Sequence, residues 1–118
     1  MKILLIEDDV RTAGFISAAF RHIGNVVVHE TDGRIGYENG LASKYDAAVV
    51  DVMLPSMNGV DIVREWRGAG ITMPVVILSA RSSAEEKITG LEAGADDYLG
   101  KPFSVAELIA RVQTVLRR

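Results

Sequence analysis

The chain has no cysteine, so disulfides and thiolate sites for metals or redox chemistry are excluded. No apolar run approaches the roughly 20 residues that a bilayer crossing needs. The small-residue cleavage site of a secretory leader is missing too. Met1-Lys2-Ile3 leads straight into a strand-like run, and a cytoplasmic location without membrane contact is expected. An excess of positive charge is lacking: 13 Lys and Arg stand against 16 Asp and Glu, for a net charge of −3. That balance argues against nonspecific nucleic-acid binding by this segment. Linkers, repeats and low-complexity stretches are absent. What remains is a chain of 118 residues, 48% apolar, which suits one domain with a sizeable core.

Five short apolar runs alternate with five helix-like stretches. The runs are Ile3 to Ile6, Val26 to His29, Ala47 to Val52, Val75 to Leu78, and Tyr98 to Leu99. Several are apolar at consecutive positions, as expected of parallel strands covered on both faces. Val10, Ala13, Ile16, Phe20 and Ile23 share one helical face, and Gly24 ends that helix. Val60, Val63 and Trp66 are spaced for a helix from Gly59 to Arg67, with Trp66 in or near the core. Ser83-Ala84-Glu85-Glu86 and Ser104-Val105-Ala106-Glu107 match the capping-box pattern. The stretch from Gly33 to Ala42 holds three glycines and reads as a marginal or mobile helix. Alternating strands and helices of this number predict an α/β, flavodoxin-like (βα)5 fold, a doubly wound parallel sheet in the order 2-1-3-4-5.

In that order the first and third strands are neighbours, and ligands bind beyond their carboxyl ends. Glu7, Asp8 and Asp51 then share one edge. At about 5 Å and an effective dielectric near 20, each pair of carboxylates repels by roughly 3 kcal/mol. Such a cluster suits a hard cation, and few protein oxygen ligands favour Mg²⁺. Asp9 alone is read as the cap of the next helix. A carboxylate can also be a nucleophile that forms an aspartyl phosphate, with an ammonium binding the phosphoryl oxygens. Asp51 and Lys101 fit those roles, and Ser79 at the end of the fourth run can donate a hydroxyl hydrogen bond. His22 and His29 are isolated and read as surface or packing residues.

Four blocks carry a resemblance across the whole chain. They are Ile6-Glu7-Asp8-Asp9, Asp51-Val52-Met53-Leu54-Pro55-Ser56-Met57-Asn58-Gly59, Leu78-Ser79-Ala80-Arg81, and Gly94-Ala95-Asp96-Asp97-Tyr98-Leu99-Gly100-Lys101-Pro102-Phe103. In this order and spacing they resemble the receiver domain of two-component response regulators. The resemblance implies that Asp51 accepts a phosphoryl group from a sensor histidine kinase. Mg²⁺ would be held by Asp8, Asp51 and the main-chain carbonyl of Met53, with Glu7 acting mostly through water. Lys101 would hold the phosphoryl group and Lys101-Pro102 would be cis. Ser79 and Tyr98 would form the switch pair. The chain would be a signalling switch, with no enzymatic turnover beyond its own phosphorylation and dephosphorylation.

The stretch from Lys101 to Arg118 resembles the OmpR-type subfamily, whose members carry a winged-helix DNA-binding domain after the receiver. A receiver domain spanning residues 1–118 of a transcription regulator is therefore expected, with DNA contacted only by a domain beyond it. The same resemblance suggests a phosphorylation-driven homodimer through the fourth helix, fifth strand and fifth helix. Ile88, Leu91 and Ile109 would supply its apolar centre, and Lys87 with Glu107 and Asp97 with Arg111 the charges around it. Two features depart from the family pattern: Gly100 stands where a larger residue is usual, and Asn25 to Gly40 matches only loosely. The main rival is a phosphohydrolase of the haloacid-dehalogenase type. It would need its nucleophile after the first strand and a second acid two residues on, whereas Asp51 is followed by Val52-Met53. A degenerate scaffold receiver would lack an acid or the lysine. A flavin protein would not place carboxylates against the cofactor phosphate.

Overall fold

Every residue of the third and fourth strands is buried, which explains why their sequences are apolar without alternation. The computed structural model describes Met1–Arg118. Its strands are β1 (Lys2–Ile6), β2 (Val26–Glu30), β3 (Ala47–Asp51), β4 (Val75–Ser79) and β5 (Asp97–Gly100). They alternate with α1 (Val10–His22), α2 (Gly33–Ala42), α3 (Gly59–Gly68), α4 (Ala84–Ala93) and α5 (Val105–Leu116). All pairings are parallel and the order is β2-β1-β3-β4-β5, as expected.

Successive strand residues point to opposite faces and build two cores. Ile3, Leu5, Val49, Val76, Leu78 and Leu99 pack with Ala13, Ile16 and Phe20 of α1 and Leu108, Val112 and Val115 of α5. Leu4, Ile6, Ala48, Val50, Val75, Ile77 and Tyr98 pack on the other face with Ile62, Val63 and Trp66 of α3. Each helix opens on a side-chain cap. Asp9 accepts from the Arg11 amide, Asp32 from Ile35, Asn58 from Asp61, Ser83 from Glu86 and Ser104 from Glu107. The first and the last two are the predicted caps.

Two expectations need correction. Val10 and Ile23 are exposed, because Val10 is the first residue of α1 and Ile23 is the cap past its last turn. The second helix, expected to be marginal or mobile, is a regular helix over Gly33–Ala42 with Asp32 as its cap. Its glycines at 33, 36 and 40 are all buried, on one face. A Cβ at Gly36 would come within 2.6 Å of Ile6, and Gly40 lies against the Trp66 indole. The residues that lower helix propensity are those that let α2 approach the sheet and α3. Trp66 is fully buried there, and its Nε1 donates to the Tyr37 carbonyl at 3.0 Å.

Arg67, which the sequence reading did not single out, ties α3 to the turns below the sheet. It donates to the carbonyls of Gly94 (3.0 Å), Ile71 (2.9 Å) and Met73 (2.8 Å). It also pairs with Asp96 at 3.1 Å, and Asp96 accepts the Val75 amide.

Candidate functional site

Parallel register brings the carboxyl ends of β1, β3 and β4 to one edge, with Ile6 beside Val50 and Asp51 beside Leu78. Glu7 follows β1 and is fully buried, and Asp51 ends β3 with 4% of its surface exposed. Asp8 is exposed at the rim. Each of the three offers a carboxylate oxygen, and these oxygens lie within 4.8 Å of one another. The predicted acidic edge is therefore present.

Lys101 enters it from the loop after β5. Its Nζ donates to Glu7 Oε1 and to Asp51 Oδ2, both at 2.9 Å. The Lys101-Pro102 bond is cis, as the resemblance implied. The ammonium corrects the expectation of three mutually repelling carboxylates, because the two buried ones share a cation. Burial is nevertheless the largest influence on Glu7. With the neighbouring Asp51 carboxylate it raises the Glu7 pKa to about 7, against the opposing pull of Lys101 and the Asp9 amide. Burial alone would lower the Lys101 pKa, but its bonds to Glu7 and Asp51 outweigh that and hold it above the ordinary lysine value.

The donor set fits a hard divalent cation, with the Asp8 carboxylate at the exposed rim and those of Asp51 and Glu7 buried behind it. Met53 lies in the loop after β3. The carbonyl of Val52 accepts from Leu54 and Gly59, and that of Pro55 accepts from Met57 and Gly33. The Met53 carbonyl accepts no backbone hydrogen bond, so it is available as a ligand.

Ser79 ends β4 and is fully buried. Its Oγ accepts the Arg81 amide at 2.9 Å, and its carbonyl accepts the Lys101 amide at 2.7 Å. Tyr98 is buried with its ring against Gly90 and Ile77, and its hydroxyl donates to the Arg81 carbonyl. The two expected switch residues thus meet on one residue, Arg81. The residues named for a dimer are more scattered in kind. Lys87, Ile88 and Leu91 are exposed, whereas Ile109 is half-buried against the core of α1 and α5. Arg111 bonds Asp97 at 3.1 Å and Glu107 at 3.4 Å within the same chain.

Three supports of the site were not foreseen. His29 Nε2 lies 2.7 Å from the Glu7 carbonyl and braces the acidic turn from β2. The parallel register of β1 and β2 is the signal that would have placed it there. Asp32 caps α2 and also accepts from Ser56 Oγ at 2.6 Å, which ties the loop after β3 to α2. Ser56 itself sits at φ 72°, a left-handed conformation uncommon for serine. Gly59 lies so close to the Asp51 carbonyl that a side chain there would collide with it.

Residues 3–113 match the family model of the response regulator receiver domain. The chain belongs to that family. This receiver is 49% identical over all 118 residues to the probable transcriptional regulatory protein SilR of Salmonella typhimurium, of which it covers 52%. It thus spans about half the length of that relative. Among solved structures it resembles the receiver domain of the Francisella response regulator 1452, with a TM-score of 0.95 and 40% identity over 99% of this chain and 97% of that one. The receiver domain of the Pseudomonas aeruginosa sensor histidine kinase PA1611 is similar too, with a TM-score of 0.89 and 33% identity over 99% and 98%. That protein carries a magnesium ion coordinated in its active-site cleft.

Proposed function

We propose that Asp51 is the phosphoacceptor of a two-component relay. The observation that carries this reading is the single ammonium, Lys101 Nζ, held 2.9 Å from both the Asp51 and Glu7 carboxylates at the sheet edge. An Asp51 oxygen attacks the phosphorus of a phosphohistidine on the kinase. A P–O bond forms as the P–N bond breaks, and the departing imidazole takes a proton. Lys101 then turns from the carboxylates to the phosphoryl oxygens, and Ser79 Oγ exchanges the Arg81 amide for the same group. Asp8, Asp51 and the Met53 carbonyl would hold Mg²⁺, with Glu7 reached through water. When bound, the ion offsets the charge of the incoming phosphoryl group. The magnesium in the PA1611 cleft supports this choice of metal.

The output we propose is a homodimer through α4, β5 and α5, coupled to transcription by a DNA-binding domain beyond residue 118. The relatives named as transcriptional regulatory proteins, about twice as long as this chain, support that reading.

Acetyl phosphate with Mg²⁺ is expected to add one phosphoryl group, seen by intact-protein mass spectrometry, and Asp51→Asn is expected to take none. Equal labelling of both proteins would assign the acceptor elsewhere. Mg²⁺ is also expected to raise the melting temperature. Asp8→Asn should shrink that rise and stabilise the metal-free protein, since it removes a like charge from the rim.

A further inference from the structure

Gly100 ends β5, facing the same side of the sheet as Tyr98, and its φ is not in the left-handed region. The backbone conformation therefore does not call for glycine there. The space does. A Cβ at Gly100 would lie 2.7 Å from Ser82 Cβ and 2.8 Å from Ser82 Oγ. A clash with a Cβ cannot be relieved by swinging a flexible tip, so the backbone of residue 82 would have to move.

Ser82 belongs to the loop between β4 and α4, and its neighbour Arg81 is the residue on which that loop is anchored. The Arg81 amide donates to Ser79 Oγ and its carbonyl accepts from the Tyr98 hydroxyl. The Tyr98 ring in turn needs the missing side chain of Gly90, where a Cβ would lie 2.7 Å from Cδ2 and 2.9 Å from Cε2. Any displacement of Ser82 passes through one peptide unit to both anchors.

We infer that Gly100 is a positioning residue: its missing side chain lets Ser82 seat the β4–α4 loop against β5, and through Arg81 this sets the placement of Ser79 Oγ and the Tyr98 ring. The loop geometry is independent of whether Asp51 accepts a phosphoryl group. Its influence on phosphoryl binding by Ser79 rests on the function proposed above.

The test uses the whole chain labelled with fluorotyrosine. Three tyrosines give three fluorine resonances, with Tyr98 assigned by Tyr98→Phe. Gly100→Ala is expected to shift the Tyr98 line, leave those of Tyr37 and Tyr45 in place, and speed hydrogen exchange at the Arg81 amide by about tenfold. In a Ser82→Gly background, Gly100→Ala is expected to change neither reading further, because the colliding side chain is gone. A Tyr98 line unmoved by Gly100→Ala, or moved equally in both backgrounds, overturns the assignment. Should Gly100→Ala fail to fold, the double variant is expected to fold; two unfolded proteins would likewise overturn it. Acetyl-phosphate labelling of the same samples separates the two claims. Absent labelling of wild type sinks the phosphoacceptor reading and leaves the loop result standing.

Discussion

Glu7 is the residue at which burial and charge compete most directly. Its carboxyl is fully buried and its pKa is raised from 4.5 to about 7. The folded protein thus binds this proton more tightly than the unfolded chain does. The stability this supplies is complete below about pH 4.5 and is lost as pH rises through about 7. Metal-free protein is expected to lose melting temperature across that window because of Glu7. Glu7→Gln should flatten the slope and melt higher than wild type at pH 8. An unchanged slope in Glu7→Gln, followed by circular dichroism in the presence of a chelator, would place the titration elsewhere. Sequence reasoning found Glu7 from its place after an apolar run, but not this protonation, which depends on how deeply the fold buries the carboxyl and on the Asp51 carboxylate that β3 brings beside it. His29 was missed for a related reason. Its partner is a main-chain carbonyl, and a carbonyl has no signature in sequence.

At the scale of elements, the apolar runs made the strands and their order legible, while α2 was misjudged. Propensity counts each glycine as a loss, but it cannot register what stands opposite. Gly14 and Gly36 show the difference, since both are helical and only one is crowded. A Cβ at Gly14 meets nothing within 4 Å, whereas one at Gly36 would meet three atoms of Ile6. Gly14→Ala is expected to stabilise the protein by about 0.5–1 kcal/mol. Gly36→Ala is expected to destabilise it by about 1–3 kcal/mol in spite of the same gain in propensity. Urea unfolding of the two variants checks this, and equal stabilisation would mean that α2 does not sit where the glycine face puts it. The fourth helix is the opposite case. Its pattern was read correctly, yet only Gly90 and Ala93 of its residues are buried, so it is held by close approach and not by large side chains.

For the whole molecule, the proposed homodimer rests on the faces of α4 and α5. Ile88 and Leu91 stay exposed, which suits a covered centre. Three of the four charges named for its rim are already engaged within one chain, Arg111 with Asp97 and Glu107, and Lys87 makes no ion pair. In a twofold dimer these pairs would exchange partners without changing their number, and exposed pairs contribute only about 0–1 kcal/mol each. The apolar centre would then supply affinity and the charges register. Sedimentation with beryllium fluoride is expected to show a dimer for wild type and a weaker one for Ile88→Ala and Arg111→Glu. A monomer at high micromolar concentration in both states would remove this interface from consideration. The acidic edge and the lysine were legible in the sequence, because rare residue types stood at strand ends. The pairing of Arg111 with Asp97 was legible too, but as a contact between two copies, whereas the structure makes it within one chain.

Trp66 is the only tryptophan, and it sits under α2 on the face of the sheet opposite α1 and α5. With its indole sealed from water and its Nε1 bound to the Tyr37 carbonyl, the protein carries a built-in optical probe of one layer. Its emission will report how firmly α2 is seated. A ligand that rearranges only Lys101 and the β4–α4 loop will leave that light unchanged.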